Sequence, residues 1–176
     1  TDSMDELPFG SVWNATEKYP IPTHKVQSFD GVQGQVWTGE IANKFAGGKG
    51  TKLSPYLIAT GEQLALLINS NSYEGKHFKL IADIYLNDVS DELWEAKVGC
   101  NTWYNAADFY HSFTSHLNGD GHVVFGMYYN FKTTPQNSYL ALIPRIGGSA
   151  SVKNVGISEA YIKASTTDDS VYAGGI

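Results

Sequence analysis

The chain has 176 residues, enough for one domain with a sizeable core or for a domain plus an extension. Charged residues make up 17% and aromatics 13%, with 18 glycines; this suits short strands joined by turns and excludes both a charge-coated helical bundle and a disordered acidic tail. A formal net charge of -6, one arginine (Arg145) and no recognisable basic cluster argue against nucleic acid as a partner and weaken a case for anionic membranes.

In chain order, residues 1–43 are punctuated by Pro8, Gly10, Pro20, Pro22, Gly31, Gly34 and Gly39, and read as an N-terminal extension or the end of a preceding module. Gln35 to Gly39 is one short strand candidate within it. The stretch Phe45-Ala-Gly-Gly-Lys-Gly-Thr reads as a structural turn. It lacks the Lys-Ser/Thr ending of a phosphate-cradling loop, since Thr51-Lys52 has the reverse order. Pro55 to Ile58 follows as a short strand.

Thr60 begins the one convincing helix, near residues 60–70. Gln63 is its capping-box partner, Leu64, Leu67 and Ile68 share one face, and Asn69-Ser70-Asn71 ends it. A helix this short is marginal alone, so that face must pack on something.

Beyond the helix the pattern is strand-like. Phe78, Leu80, Ala82, Ile84 and Leu86 alternate with other residues. An insertion-like stretch from about 87 to 108 carries Trp94, Trp103 and Tyr104. Phe113 to Leu117, the turn Asn118-Gly119-Asp120-Gly121 and the strand His122 to Tyr129 come next. Further strands are expected at Tyr139 to Ile143, Ser151 to Ile157, Ala160 to Ile162 and from Val171 onward. Three of these segments share a strand, kink, strand rhythm at intervals of roughly 20–45 residues, a spacing that suits stacked coils. A β-sandwich is the alternative.

The single cysteine, Cys100, excludes an intramolecular disulfide framework and has no local signature of an activated nucleophile. No run approaches the roughly 20 apolar residues that span a bilayer. The chain opens on Thr-Asp-Ser with no signal-like segment, so either a leader has been removed or the sequence is an excised segment.

The stretches FAGGKGTKLSPYLIATGEQLALLIN, GKHFKLIADIYLND, HLNGDGHVVFGMYYN, IPRIGGSASVKNVGISEAYIK and VYAGGI occur in that order. In this respect residues 44–176 resemble the opening of a right-handed parallel β-helix in bacterial secreted and cell-surface proteins with GLUG-type repeats. The resemblance implies a mainly β chain, with Gly47 to Thr51, Pro55 to Ile58 and Thr60 to Asn69 as an N-terminal cap. It places Leu80, Ile84, Leu86, Val124, Met127, Val152, Val155 and Ile157 inside the coils. Family members continue past YAGGI through more repeats, so further repeats or domains of the same chain are expected. Where the family often has Gly-Leu-Phe-Gly, this chain has Leu140-Ala141-Leu142-Ile143-Pro144.

Chemistry-bearing clusters are sparse. His111, His116 and His122, with Asp108 and Asp120, match none of the usual zinc spacings. Asp91, Glu92 and Glu95 are too close in sequence to face each other across a glycosidic bond. Asp83, Asp88 and Asp120 do not rise above a solvated acidic face as a calcium cage. No cofactor, metal or catalytic residue is expected. Trp94, Trp103, Tyr104 and Tyr110 are the candidate ligand contacts, because exposed rings suit sugars and protein partners; packing as a satellite cluster is their other reading. The expectation is a non-catalytic binding or attachment module at the cell surface, with a glycan or a surface protein as partner. A structural stalk is the first alternative. The second is a carbohydrate-active enzyme (polysaccharide lyase or glycoside hydrolase) or its ancillary binding domain.

Overall fold

The computed structural model describes residues 13–14, 21–22, 35–103, 112–131, 138–165 and 171–176. The described residues are mainly β with one α-helix. It divides into two units, residues 1–33 and 34–176. In the first, β1 (Trp13–Asn14) and β2 (Ile21–Pro22) form a short antiparallel ladder. Residues 35–43 fall within the second unit. Val36 bridges Tyr85, the Trp37 amide donates to the Tyr85 carbonyl at 2.8 Å, and Ala42 donates to Glu62 at 3.0 Å. The expected strand at 35–39 is thus a single parallel bridge.

The glycine turn comes next and folds back so that Gly47 bridges β3 (Tyr56–Ile58) in the antiparallel sense. Gly48 sits at φ +87°, and a Cβ there would lie 1.8 Å from the Pro55 carbonyl oxygen, so only glycine fits. The helix α1 (Gly61–Ile68) follows, with Leu64, Ala65 and Leu67 buried and Ile68 packed at the core margin. Gln63 donates its backbone N–H to the Thr60 hydroxyl at 3.4 Å, as the capping pattern requires. Its side chain reaches one residue further back than a standard capping box and accepts from Ala59 N–H at 2.8 Å. Gly61 leaves room for Trp37, whose Cβ would be 2.5 Å from an added methyl.

The remaining strands are β4 (His77–Leu80), β5 (Ile84–Tyr85), β6 (His116–Asn118), β7 (Val123–Phe125) and β8 (Tyr128–Phe131). They continue as β9 (Ser138–Leu140), β10 (Ser151–Lys153), β11 (Gly156–Ser158), β12 (Tyr161–Ala164) and β13 (Val171–Ala173). All pair in parallel, in sheets ordered β3-β4-β6-β10, β5-β7-β11, β8-β12 and β9-β13. The segment β6-β7-β8-β9 therefore lies beside β10-β11-β12-β13, strand for strand and in the same order. The expected strands at 78–86, 122–129 and 151–157 are each broken in two. Gly126, at φ +72°, and Asn154, at φ +54°, lie at two of those kinks.

Register puts Tyr56, Phe78, Leu117 and Val152 in one row, and Ile84, Val124 and Ile157 in another. Period-two alternation sends these rows to one interior. Leu80, Ile84, Leu86, Val124 and Met127 are buried there, with Val152, Val155 and Ile157 partly buried against them. Leu140, Leu142 and Ile143, in the stretch that departs from Gly-Leu-Phe-Gly, join the same core. Outward rings stack in register as well: Tyr85 on Phe125 at 5.0 Å, Tyr128 on Tyr161 at 5.4 Å and Tyr139 on Tyr172 at 5.0 Å. Each such pair contributes roughly 0.5–1.5 kcal/mol beyond its buried area.

Candidate functional site

Trp103 and Trp94 are interior. Trp103 is fully buried, meets Trp37 edge-on at 5.1 Å and donates its indole N–H to the Leu142 carbonyl at 3.0 Å. Trp94 is 4% exposed and packs in a side cluster with Tyr85, Val89 and Phe125. Neither has a ring face free for a ligand, because both are taken up by the core and its satellite. Tyr104 and Tyr110 lie outside the described residues.

The insertion is pinned at its start by a buried amide, Asn87. It donates to the carbonyls of Asn101 at 2.9 Å and Gly126 at 2.8 Å and accepts from Asn101 N–H at 2.6 Å, so its polar atoms are satisfied. Cys100 is half-buried, with its thiol toward the Trp94 and Lys97 carbonyls. Burial pushes that thiol up, despite the nearby Lys97, away from the range of a nucleophilic cysteine.

The acidic residues disperse to separate partners. Asp83 accepts from Val123 N–H at 2.9 Å and faces His122 at 3.1 Å. Asp120 pairs with Lys79 at 2.7 Å and Asp88 with Lys97 at 3.7 Å. Asp91 caps the Leu93 amide, while Glu92 is exposed and Glu95 half-buried. Among the described residues no three His, Cys, Asp or Glu side chains converge as a metal site. His111 and Asp108 lie outside those residues. In the glycine turn, the Lys49 and Thr51 amides both donate to the Ser54 carbonyl, at 2.9 and 3.1 Å.

One feature has the form of a site. The outward face of the β3-β4-β6-β10 sheet is an open groove of about 760 Å³. Alternation that buries Phe78 and Leu117 turns their neighbours outward. One outward row is His77, His116 and Ser151; the next is Lys79, Asn118 and Lys153. Lys52 and Pro55 close the groove at the β3 end. The imidazoles of His77 and His116 stack at 4.5 Å, and His116 Nδ1 lies 3.0 Å from the Ser151 hydroxyl. Partial desolvation, then the charges of His116, Lys52 and Lys153, hold His77 below the ordinary histidine range.

A basic cluster therefore exists that the sequence alone does not display. Its members are separated by 20 or more residues except for His77 and Lys79, and only the register between parallel strands joins them. The detectable signal is alternation within HFKL, HLN and SVK, where the odd positions carry His, Lys, Asn and Ser. Among the described residues no helix is long and apolar enough to cross a membrane.

No protein-family model matches the chain, and no solved structure does. A protein described as a Gly-rich membrane protein, from Evansella cellulosilytica, is 36% identical over 120 residues, which is 67% of this chain and 12% of that protein. Halomucin from Haloquadratum walsbyi is 28% identical over 116 residues, 65% of this chain and 1% of that protein. The chain thus spans only a small fraction of the curated relatives it matches.

Proposed function

We propose that this chain is a non-catalytic binding or attachment segment of an exported bacterial surface protein, built on a short right-handed parallel β-helix of the GLUG-repeat kind. The observation that carries this reading is the outward groove, where polar and basic side chains line up across three parallel strands over a closed apolar interior. The strand-for-strand parallel pairing of β6 to β9 with β10 to β13 supports the coil architecture. The names of the two relatives, a membrane protein and halomucin, favour an envelope or surface setting. Function by analogy of fold is only a prior, so the groove carries the argument.

The groove suits binding rather than turnover. No carboxylate is among the described residues that line it, and Asp120 is paired with Lys79. A two-carboxylate glycosidase arrangement is therefore missing from this surface. The test is retention of the chain on a panel of acidic and neutral polysaccharides and of surface proteins. Specific retention on at least one member is expected; no retention on any would leave a structural stalk as the function.

A further inference from the structure

We propose that the groove over β4, β6 and β10 is a site for a linear acidic polysaccharide, one carrying carboxylates at regular intervals, laid across the strands along the direction of stacking. This rests on the reading of the chain as a binding module and names the ligand class. On a protein of net charge -6, this face gathers Lys52, Lys79, Lys153, His77 and His116. Lys79 is neutralised in part by Asp120, whereas among the described residues no carboxylate pairs with Lys52 or Lys153.

The spacing fits a repeating polymer. Lys79 and Lys153 occupy the same row two strands apart, which puts their Cα atoms about 10 Å from each other. That is the length of a disaccharide step in a linear glycan. Between them Asn118 offers both a donor and an acceptor for sugar hydroxyls, and Ser151 in the adjacent row offers a hydroxyl.

An acidic peptide fits less well. Peptides bind sheets mainly by adding a strand to a free edge, but β4 and β6 are paired on both sides. Among the described residues β10 alone of the three groove strands has an unpaired edge, beside the groove rather than over it. Only side chains face the groove, so a ligand must be read through its own carboxylates and hydroxyls.

His77, stacked on His116, adds a proton linkage. His77 faces His116, Lys52 and Lys153, with the Lys79–Asp120 pair alongside. A bound carboxylate favours protonated His77, which the free groove holds below the ordinary histidine range, so binding takes up a proton and strengthens as pH falls.

The experiment measures binding of polygalacturonate to the whole chain at low salt, with dextran as the neutral control and poly-L-glutamate as the peptide control. Polygalacturonate should bind, more tightly at pH 5.5 than at pH 7.5, and more weakly as salt is added. The double variant Lys52→Gln/Lys153→Gln should bind about five- to tenfold more weakly, the loss expected for two exposed charge contacts. Lys163→Gln, on β12 outside the groove, should leave binding unchanged. Circular dichroism and melting of each variant should match the parent, so that lost binding is not lost folding.

Undiminished affinity in the double variant would overturn the site. Preference for dextran or poly-L-glutamate would overturn the ligand class and leave the binding module standing. Retention of no probe, here or on the wider panel, would overturn both. Growth of ultraviolet absorbance from eliminative cleavage would sustain the ligand class and overturn the non-catalytic reading.

Discussion

The two faces of the same strands differ in what they are made of and in what they do. On β4, Phe78 and Leu80 are buried while His77 and Lys79 point outward, and β6 and β10 repeat the division with Leu117 and Val152 inside and His116, Asn118, Ser151 and Lys153 outside. The inner rows are contiguous apolar columns whose burial stabilises the stack. The outer rows contribute little to stability and set what the surface can hold. A one-residue slip of register would exchange the two columns, so the buried side chains also fix the position of every groove residue.

This division is easiest to break from inside. Phe78→Ala should destabilise by about 3–5 kcal/mol, measured by denaturant unfolding, since the ring is buried among Phe45, Tyr56 and Tyr73. Gly119→Ala should cost about 1–3 kcal/mol. An added Cβ there would lie 2.2 Å from the Asn154 carbonyl oxygen and 2.5 Å from Val155 Cα, so the two segments would have to part. Thr60→Ala should cost about 1 kcal/mol through the lost helix cap, and thermal melting would show it. By contrast Lys79→Gln, on the same strand as Phe78, should change stability by less than about 1 kcal/mol, because it removes only an exposed pair with Asp120.

A smaller effect sharpens the link between residues 35–43 and the helix. The Thr38 amide and hydroxyl both donate to Glu62 at 3.1 Å. Burial opposes ionisation of Glu62, but hydrogen bonds from its own backbone amide, Thr38 and Thr60 prevail and hold its carboxyl below the ordinary range. A lowered folded-state pKa means this stabilisation is present above the unfolded value and is lost as pH falls through the folded one. Unfolding midpoints between pH 7 and pH 3 should therefore fall less steeply in Glu62→Gln than in the parent.

Local chemistry was legible in the sequence, and assembly across distant strands was not. Thr60 and Gln63 announced the helix start, and alternation in Phe78 to Leu86 announced buried Leu80, Ile84 and Leu86. Both signals lie within a few residues. The groove depends on His77 meeting His116, and on Lys79 and Lys153 flanking Asn118, partners that no local pattern relates. Trp94 and Trp103 show the same gap from the other side. An aromatic in a polar insertion looks available for ligand, but Trp103 reaches back to Trp37 and Leu142, contacts set by how the insertion folds over the core.

The most direct test of the account is the spacing of the outward row. Nitroxide labels at Lys79→Cys and Lys153→Cys, in a Cys100→Ser background, should show strong dipolar broadening at low temperature, with backbones two strand spacings, about 10 Å, apart. Spectra equal to the sum of the two singly labelled chains would mean that these strands do not stack in this register, and the groove would have no basis.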